Sequence, residues 1–240
     1  GFDEDLSSLE SNGLLEVENV SLSSRALERG LRSLGTLGSG NHFLELQSVE
    51  KLVDENTAKQ WGLYKGQLLA MIHSGSRGLG HQVCSEHSRK FEQKFRRTSD
   101  GWYAEEYDFT LSDRQLACAP IHSSEGQQYL QEMNAAANFA FANRSALAHR
   151  LREVLRLEMG VDGEARTLYD VAHNIAKIET HNIHGKNCQC AIHRKGATRA
   201  FSGDSGQIES SFQATGQPVL VPGDMGSGSW IMAGPRSGQN

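Results

Sequence analysis

Three short glycine-rich stretches divide the chain, and each adjoins an apolar run of strand-like length. They are Gly35–His42 (GTLGSGNH), His73–Gly80 (HSGSRGLG) and Pro222–Ser229 (PGDMGSGS). Two of them carry a histidine where the glycines meet the apolar run. Glycine lets backbone N–H groups gather around an anion, and histidine binds metals or moves protons. The sequence therefore favours tight turns at strand ends, with phosphate chemistry on a nucleotide or polynucleotide as the functional hypothesis.

The composition is that of a folded, water-soluble domain. The 240 residues are 38% hydrophobic and 22% charged, and no apolar run approaches the roughly 20 residues that span a bilayer. The four cysteines follow no disulfide pattern and no signal peptide is evident, which predicts a cytoplasmic protein without a membrane partner. The net charge of −5 excludes binding of nucleic acid by bulk charge, so any such contact depends on local basic clusters.

Helical and strand-like patterns follow each other in irregular order. Helices are predicted at residues 23–34, 53–61, 80–97 and 124–157, and strands at residues 43–49, 67–72, 175–183 and 188–193. The last two strands flank a turn at His184–Asn187, which would bring Arg194 and Lys195 beside residues 174–177. This mixture predicts an α+β fold with mixed β-sheets and packed helices. Residues 1–20 are predicted to be an acidic, weakly ordered start, and residues 21–240 the folded domain.

Three of the ten histidines stand out by their surroundings. His42 follows the first glycine-rich stretch, His73 ends an apolar strand, and His173 lies in the sequence YDVAHN. Imidazoles at strand–loop junctions can converge on a divalent metal, although their spacing alone does not select these three. Arg77, inside the second stretch, has the chemistry for a bidentate phosphate contact. No stretch matches the P-loop or the dinucleotide fingerprint.

Five motifs carry a resemblance that extends over nearly the whole chain. They are LGTLGSGNHFLE at residues 34–45, HSGSRG at 73–78, DVAHNIAK at 170–177, HRKGATRAF at 193–201 and GQPVLVPGDMG at 216–226. In this order they resemble the motifs of RtcB-type RNA-splicing ligases. The resemblance implies that residues 21–240 form part of a single RtcB-like catalytic domain of α+β type.

The resemblance also implies an activity. Members of the family join RNA ends that carry a 2′,3′-cyclic phosphate or a 3′-phosphate to ends with a 5′-hydroxyl, as in tRNA halves or broken RNA. They use GTP and two Mn²⁺ ions. A histidine is guanylylated, GMP passes to the RNA 3′-phosphate, and the 5′-hydroxyl then displaces GMP.

The matching positions give a set of expected site residues. By resemblance the metal ligands are His42, His73 and His173, and Glu45 reads the edge of the guanine base. The expected GTP-binding residues are Asn41, His42, Phe43, Leu44, Glu45, His173, Asn174, Pro222, Gly223, Asp224, Met225 and Ser229. The residues expected to hold RNA or nucleotide phosphates are Arg77, Arg194 and Lys195.

The chain also departs from the family pattern. An aspartate and a bridging cysteine that bind metal in the family belong before its first residue, and the guanylylated histidine belongs beyond Asn240. We therefore expect a piece of a longer protein that is inactive by itself. Asp224 stands where the best-known members have serine, which questions that one nucleotide contact. Whether an activating protein partner is needed, the oligomeric state and the physiological RNA stay open.

Two other functions compete with RNA ligation. A metal-dependent phosphohydrolase acting on RNA or nucleotide ends would use the same imidazoles without a covalent intermediate. A non-catalytic RNA-binding homologue would keep the fold without the chemistry.

Overall fold

The computed structural model describes residues 3–160 and 165–236 and confirms the predicted α+β fold. The helices are α1 (Ser24–Leu31), α2 (Glu55–Gln60), α3 (Arg77–Lys94) and α4 (Ser124–Met159). The strands are β1 (Phe43–Ser48), β2 (Leu68–His73), β3 (Arg96–Thr98), β4 (Gly101–Ala104), β5 (Phe109–Leu111), β6 (Asn174–Ile183), β7 (Lys186–Lys195), β8 (Pro218–Val221) and β9 (Trp230–Ala233). Short 3₁₀ helices lie at Asp3–Ser8, Glu10–Gly13, Arg114–Leu116 and Ser210–Phe212.

The described strands form small antiparallel sheets, in the groupings β1–β2, β3–β4–β5, β6–β7 and β8–β9. The chain divides into two compact units that are both discontinuous in sequence. The first unit contains described residues 3–14, 39–73, 145–160 and 165–236, and the second contains residues 15–38 and 74–144. No helix in the described ranges combines the length and apolar composition that crossing a bilayer requires.

In the first unit the amino-terminal segment is packed rather than loose. Leu9 and Glu10 are almost fully buried, and Leu9 forms an isolated parallel bridge with Asp170. The Glu10 carboxylate is paired with buried cations instead of facing water. The division into an acidic start at residues 1–20 and a folded domain at residues 21–240 stays a prediction.

An apolar cluster of the first unit lies next to the segment that carries His173. Tyr169, Ile208 and Phe212 form this cluster, and partly buried side chains of Trp61, Leu168 and Val171 pack against it. The ring of Tyr169 meets that of Phe212 edge-on, with centroids 5.1 Å apart. The cluster thus anchors the chain just before β6.

The β6–β7 hairpin turns more tightly than predicted. His184 and Gly185 both have positive φ (50° and 80°), as a two-residue type I′ turn requires, and Lys186 already pairs with Ile183. The predicted four-residue turn is therefore too long by two residues. The predicted neighbourhood is confirmed, because Asn174 pairs with Lys195 and Ile175 with Arg194.

In the second unit α1 packs closely on α3. The cluster at this contact contains Ala26 of α1, Leu79 and Val83 of α3, and Ala136 of α4. A Cβ added at Gly30 would lie 2.8 Å from Leu79 Cδ1, so this glycine permits the close approach. The helix α3 begins at Arg77, inside the second glycine-rich stretch and not after Gly80 as expected. That stretch is consequently half helix. Its two helical glycines are closely packed, because an added Cβ would lie 3.0 Å from Arg29 Cβ at Gly78 and 3.5 Å from Ala136 Cβ at Gly80.

Candidate metal and nucleotide site

The pairing of β1 with β2 brings the first two candidate histidines together. In this antiparallel sheet Phe43, the first residue of β1, lies opposite His73, the last residue of β2. His42 immediately precedes β1, and its ring centroid is 5.4 Å from that of His73, with the rings edge-to-face. The Phe43 ring meets His73 at the same distance. Two glycine-rich stretches that are distant in sequence therefore place their histidines side by side.

His173 completes a cluster of three imidazoles within the first unit. It immediately precedes β6, and its ring centroid is 5.0 Å from that of His73. The Nε2 atoms of His73 and His173 are 3.0 Å apart. The structure therefore brings together the three histidines singled out by sequence, from segments separated by about 30 and 100 residues.

The nitrogen geometry can be compared with what a metal ion needs. Two imidazole nitrogens about 2.1 Å from one ion, at roughly 90° to each other, would be about 3.0 Å apart. The His73–His173 separation equals this value, and it also suits one proton shared between the rings. His42 Nδ1 is buried and has no hydrogen-bond partner among the described residues, as expected of a nitrogen that binds a metal. The donor set fits a divalent cation.

The cluster is not a finished coordination sphere. In the part of the chain that the structure describes, no group of three or more His, Cys, Asp or Glu side chains is arranged as a ready metal site. Metal binding by His42, His73 and His173 accordingly stays a prediction.

A buried ion pair fixes the backbone next to His173. Glu10 Oε2 accepts a hydrogen bond from the Ala172 N–H at 2.8 Å, and Glu10 Oε1 accepts one from Lys177 Nζ at 2.6 Å. The Glu10 N–H donates to the Asp170 carbonyl oxygen at 2.8 Å. Burial lowers the pKa of Lys177, although the Glu10 carboxylate opposes this effect. Glu10 thus holds the chain on both sides of His173.

The predicted base-reading residue lies on β1 and contacts a distant loop through a neighbour. Gln47 Nε2 donates to Glu45 Oε1 at 2.7 Å and to Ser229 Oγ at 3.0 Å. Ser229 Oγ also accepts from the Gly223 N–H at 3.1 Å. Glu45, Gly223 and Ser229, all expected to bind GTP, are therefore linked in one hydrogen-bonded chain.

The loop Pro222–Ser229 is organised by Asp224. Its Oδ1 accepts from the N–H groups of Ser227 and Gly226, both at 2.7 Å, and these bonds lower the pKa of Asp224. A Cβ added at Gly223 would lie 1.8 Å from the Gly228 carbonyl oxygen, so only glycine fits there. The loop amides bind the loop's own carboxylate instead of forming an open anion cradle. Met225 is fully exposed.

The basic residues at the end of β7 are in different situations. Both guanidinium NH groups of Arg194 bind Glu179, at 2.6 and 2.8 Å, so a phosphate would have to compete with this carboxylate. Burial raises the pKa of Glu179, but the hydrogen bonds from Arg194 and His181 outweigh this and lower it overall. Lys195 is exposed, and opposite it Asn174 Oδ1 accepts from the Gly196 N–H at 2.9 Å.

Arg77 belongs to the second unit and has a different local role. Its Nε donates to Thr36 Oγ1 at 3.1 Å, and its φ of 52° is unusual for a residue other than glycine. The fully buried Asn143 ties the same region together, because its Oδ1 accepts from the N–H groups of Gly35 and Thr36 and its Nδ2 donates to Ser74 Oγ.

The remaining expected residues lie on β1 or in the loops. Asn41 is exposed before His42, Leu44 pairs with Ile72, and Pro222 is exposed at the start of its loop. Sequence reasoning missed Glu10 and Gln47. Strand alternation could have indicated Gln47, which shares a face with Glu45 two residues earlier. Nothing in the acidic start distinguished Glu10 from its neighbours.

Comparison with known proteins gives a consistent result. A family model described as tRNA-splicing ligase RtcB matches residues 1–240. The chain is 45% identical to a tRNA-splicing ligase RtcB of Thermococcus kodakarensis, over 98% of this chain and 48% of that protein. It is 46% identical to an RNA-splicing ligase RtcB of Mycobacterium bovis, over 96% of this chain and 51% of that protein. The chain thus spans about half the length of these relatives, and 24% of a Pyrococcus furiosus relative that is 46% identical.

Proposed function

Because the chain belongs to the RtcB family, we propose that the complete gene product containing it is an RNA ligase. The single observation that carries the proposal beyond family membership is the convergence of three histidines: the ring centroids of His42 and His173 lie 5.4 and 5.0 Å from that of His73. We extend it to a GTP- and Mn²⁺-dependent reaction that joins a 2′,3′-cyclic phosphate or 3′-phosphate end to a 5′-hydroxyl end. The steps pass through histidine-GMP and RNA-ppG intermediates, and the guanylylated histidine is supplied from outside this chain.

The three imidazoles are the residues that would hold Mn²⁺. The bound ions would neutralise charge at the attacked phosphorus and align the incoming and leaving oxygens. The residues of this chain hold the imidazoles in place. The pairing of β1 with β2 positions His42 and His73, and the hydrogen bond from the Ala172 N–H to Glu10 positions the backbone before His173. Neutral imidazole is required for this role, so binding weakens at low pH.

The nucleotide would lie against β1 and the loop Pro222–Ser229. Glu45 supplies a carboxylate that can accept the N1–H and N2–H groups of guanine. The exposed Lys195 is the freer of the two cations at the end of β7 for an RNA phosphate, since Arg194 is paired with Glu179. RNA and GTP are thus the proposed partners, with an activating protein left open. The cysteines at all four positions are free, which agrees with a reducing, cytoplasmic setting.

The first test uses a matched pair of variants in the complete gene product. His73→Asn should reduce ligation of 2′,3′-cyclic phosphate and 5′-hydroxyl RNA ends at least about 100-fold, because it removes the imidazole at the centre of the cluster. His184→Asn is the control, since His184 is exposed and asparagine tolerates its positive φ. The control should retain activity within about twofold. Undiminished ligation by His73→Asn would favour a non-catalytic role for this site.

Product analysis separates the ligase from the phosphohydrolase. The ligase gives joined strands with release of GMP and needs both GTP and Mn²⁺. The phosphohydrolase gives dephosphorylated ends and no GMP. Dephosphorylation by the wild-type protein without joining would overturn the proposed function.

A further inference from the structure

The side chain of Gln47 links strand β1 to the loop Pro222–Ser229, a role that the sequence alone does not indicate. It lies two residues after Glu45 on β1, so both side chains leave the same face of the strand. Leu46 and Ser48, on the other face, are exposed, whereas Glu45 and Gln47 are half-buried. Gln47 is therefore part of the less exposed surface that contains the expected base-reading carboxylate.

Both protons of the Gln47 amide are used. One goes to Glu45 Oε1 at 2.7 Å and the other to Ser229 Oγ at 3.0 Å. The reverse amide orientation would set the carbonyl oxygen against the Glu45 carboxylate, so the orientation with Nε2 towards Glu45 is electrostatically fixed. One amide thus joins a strand to a loop 182 residues away in sequence.

The contact also decides what Ser229 can offer a ligand. A hydroxyl has two lone pairs and one proton. The lone pairs of Ser229 receive the N–H groups of Gly223 at 3.1 Å and Gln47 at 3.0 Å. The remaining proton is free to be donated, which makes Ser229 a donor beside the acceptor Glu45.

We propose that Gln47 is a positioning residue for nucleobase selection, holding Glu45 as acceptor and Ser229 as donor on one base. This inference rests on the proposed GTP site. The Gln47 amide leaves Glu45 Oε2 and the remaining lone pair of Oε1 to accept the two N–H groups of guanine. Without Gln47, the side chains of Glu45 and Ser229 would sample more rotamers. The two carboxylate oxygens of Glu45 would then face the guanine N–H groups less often.

The experiment compares GTP with ITP. ITP lacks the 2-amino group and therefore one of the two N–H groups that would donate to Glu45. The assay is RNA ligation by the complete gene product, with KM and kcat measured for each nucleotide. Gln47→Met keeps the length of the side chain and removes both donors. We expect KM for GTP to rise about tenfold, KM for ITP to rise less, and kcat at saturation to stay within about threefold.

Two further variants sharpen the result. Gln47→Glu places a second carboxylate beside Glu45 and should raise KM for GTP by at least as much as Gln47→Met. Gln189→Met is the matched control, since Gln189 is exposed on β7 and should leave both KM values unchanged. If circular dichroism shows that Gln47→Met does not fold, Gln47→Asn replaces it, because its shorter amide cannot reach both Glu45 and Ser229. The same comparison of KM for GTP with KM for ITP then decides.

The outcomes separate this inference from the function on which it rests. A smaller preference for GTP over ITP in Gln47→Met supports the positioning role. An unchanged preference, or an equal rise of both KM values, overturns it while leaving the ligase intact. A wild-type protein that ligates without GTP overturns the proposed nucleotide site together with the role of Gln47.

Discussion

The carboxylate of Glu10 is almost fully buried and is surrounded by cations. Lys177 Nζ lies 2.6 Å from it and Arg199 Nε 3.6 Å, and both partners are themselves buried. A buried ion pair gives little net stability against an apolar replacement, yet removing one member is expensive because the other charge stays uncompensated. Glu10 is therefore a position where a small chemical change has a large effect.

We expect Glu10→Gln to lower the free energy of unfolding by about 3 kcal/mol, since Lys177 then lacks its counter-charge. Urea denaturation followed by circular dichroism measures this. Glu50→Gln, at an exposed position of the same unit, should change stability by less than about 0.5 kcal/mol. Adding Lys177→Met to Glu10→Gln should restore part of the loss, and a double variant no more stable than Glu10→Gln would contradict this account.

A second ion pair, in the other unit, predicts a pH effect. The Lys94 ammonium donates to Glu125 at 2.8 Å and holds the pKa of Glu125 at about 2, below its usual value of 4.5. A carboxylate whose pKa is lowered by folding stabilises the protein above its unfolded pKa and loses that contribution as the pH falls through the folded value. The contribution should thus disappear between about pH 4.5 and pH 2.

The measurement is the difference in Tm between the wild-type protein and Glu125→Gln. It should be constant from pH 7 to pH 5 and should shrink steadily below pH 4.5. Glu105→Gln serves as the comparison, because Glu105 also pairs with a cation, Arg96 at 3.4 Å, but in an exposed pair. A difference that persists unchanged at pH 2 would show that the Lys94 pair does not depress this pKa.

Among the larger elements, the loop Pro222–Ser229 owes its shape to one side chain. Asp224 accepts two backbone hydrogen bonds, and the Gly228 N–H donates to the Asp224 carbonyl oxygen at 2.8 Å. The loop is exposed, so these bonds define local order more than global stability.

Asp224→Ala should therefore speed amide hydrogen exchange at Gly226 and Ser227 about tenfold while shifting the free energy of unfolding by less than about 1 kcal/mol. Hydrogen exchange followed by mass spectrometry resolves the loop from the β6–β7 hairpin, which is the internal reference. Asp224→Asn keeps an acceptor oxygen and should lie between the two. Equal exchange in all three proteins would mean that the carboxylate does not order the loop.

Element by element, sequence patterns predicted the longer segments well. The helix predicted at residues 124–157 is α4, and the hairpin was predicted with its partners correctly opposed. The strands β3, β4 and β5 were missed because three or four residues are too few for alternation to show, and Arg96–Thr98 is strongly polar. The start of α3 was missed because glycines that allow helix packing have the same composition as a turn.

At the scale of the whole molecule, sequence predicted the identity of the clustered residues better than the reason for their clustering. Periodicity could not select His42, His73 and His173, and the resemblance to a family did so. Their convergence depends on strand register and on Glu10, whose burial follows from partners more than 160 residues away. Long-range pairing of this kind leaves no local signal, and neither does the division of the chain into two units.

The discontinuity of the first unit has a consequence for the order of events during synthesis. Glu10 leaves the ribosome before Lys177 and the β6–β7 hairpin that carries it, which emerge more than 160 residues later. Until then the Glu10 carboxylate has no counter-ion in the interior, and the backbone that carries His173 cannot take its final position. We therefore expect nascent chains to stay partly folded until β6 has been made, with apolar residues such as Leu9 exposed to chaperones.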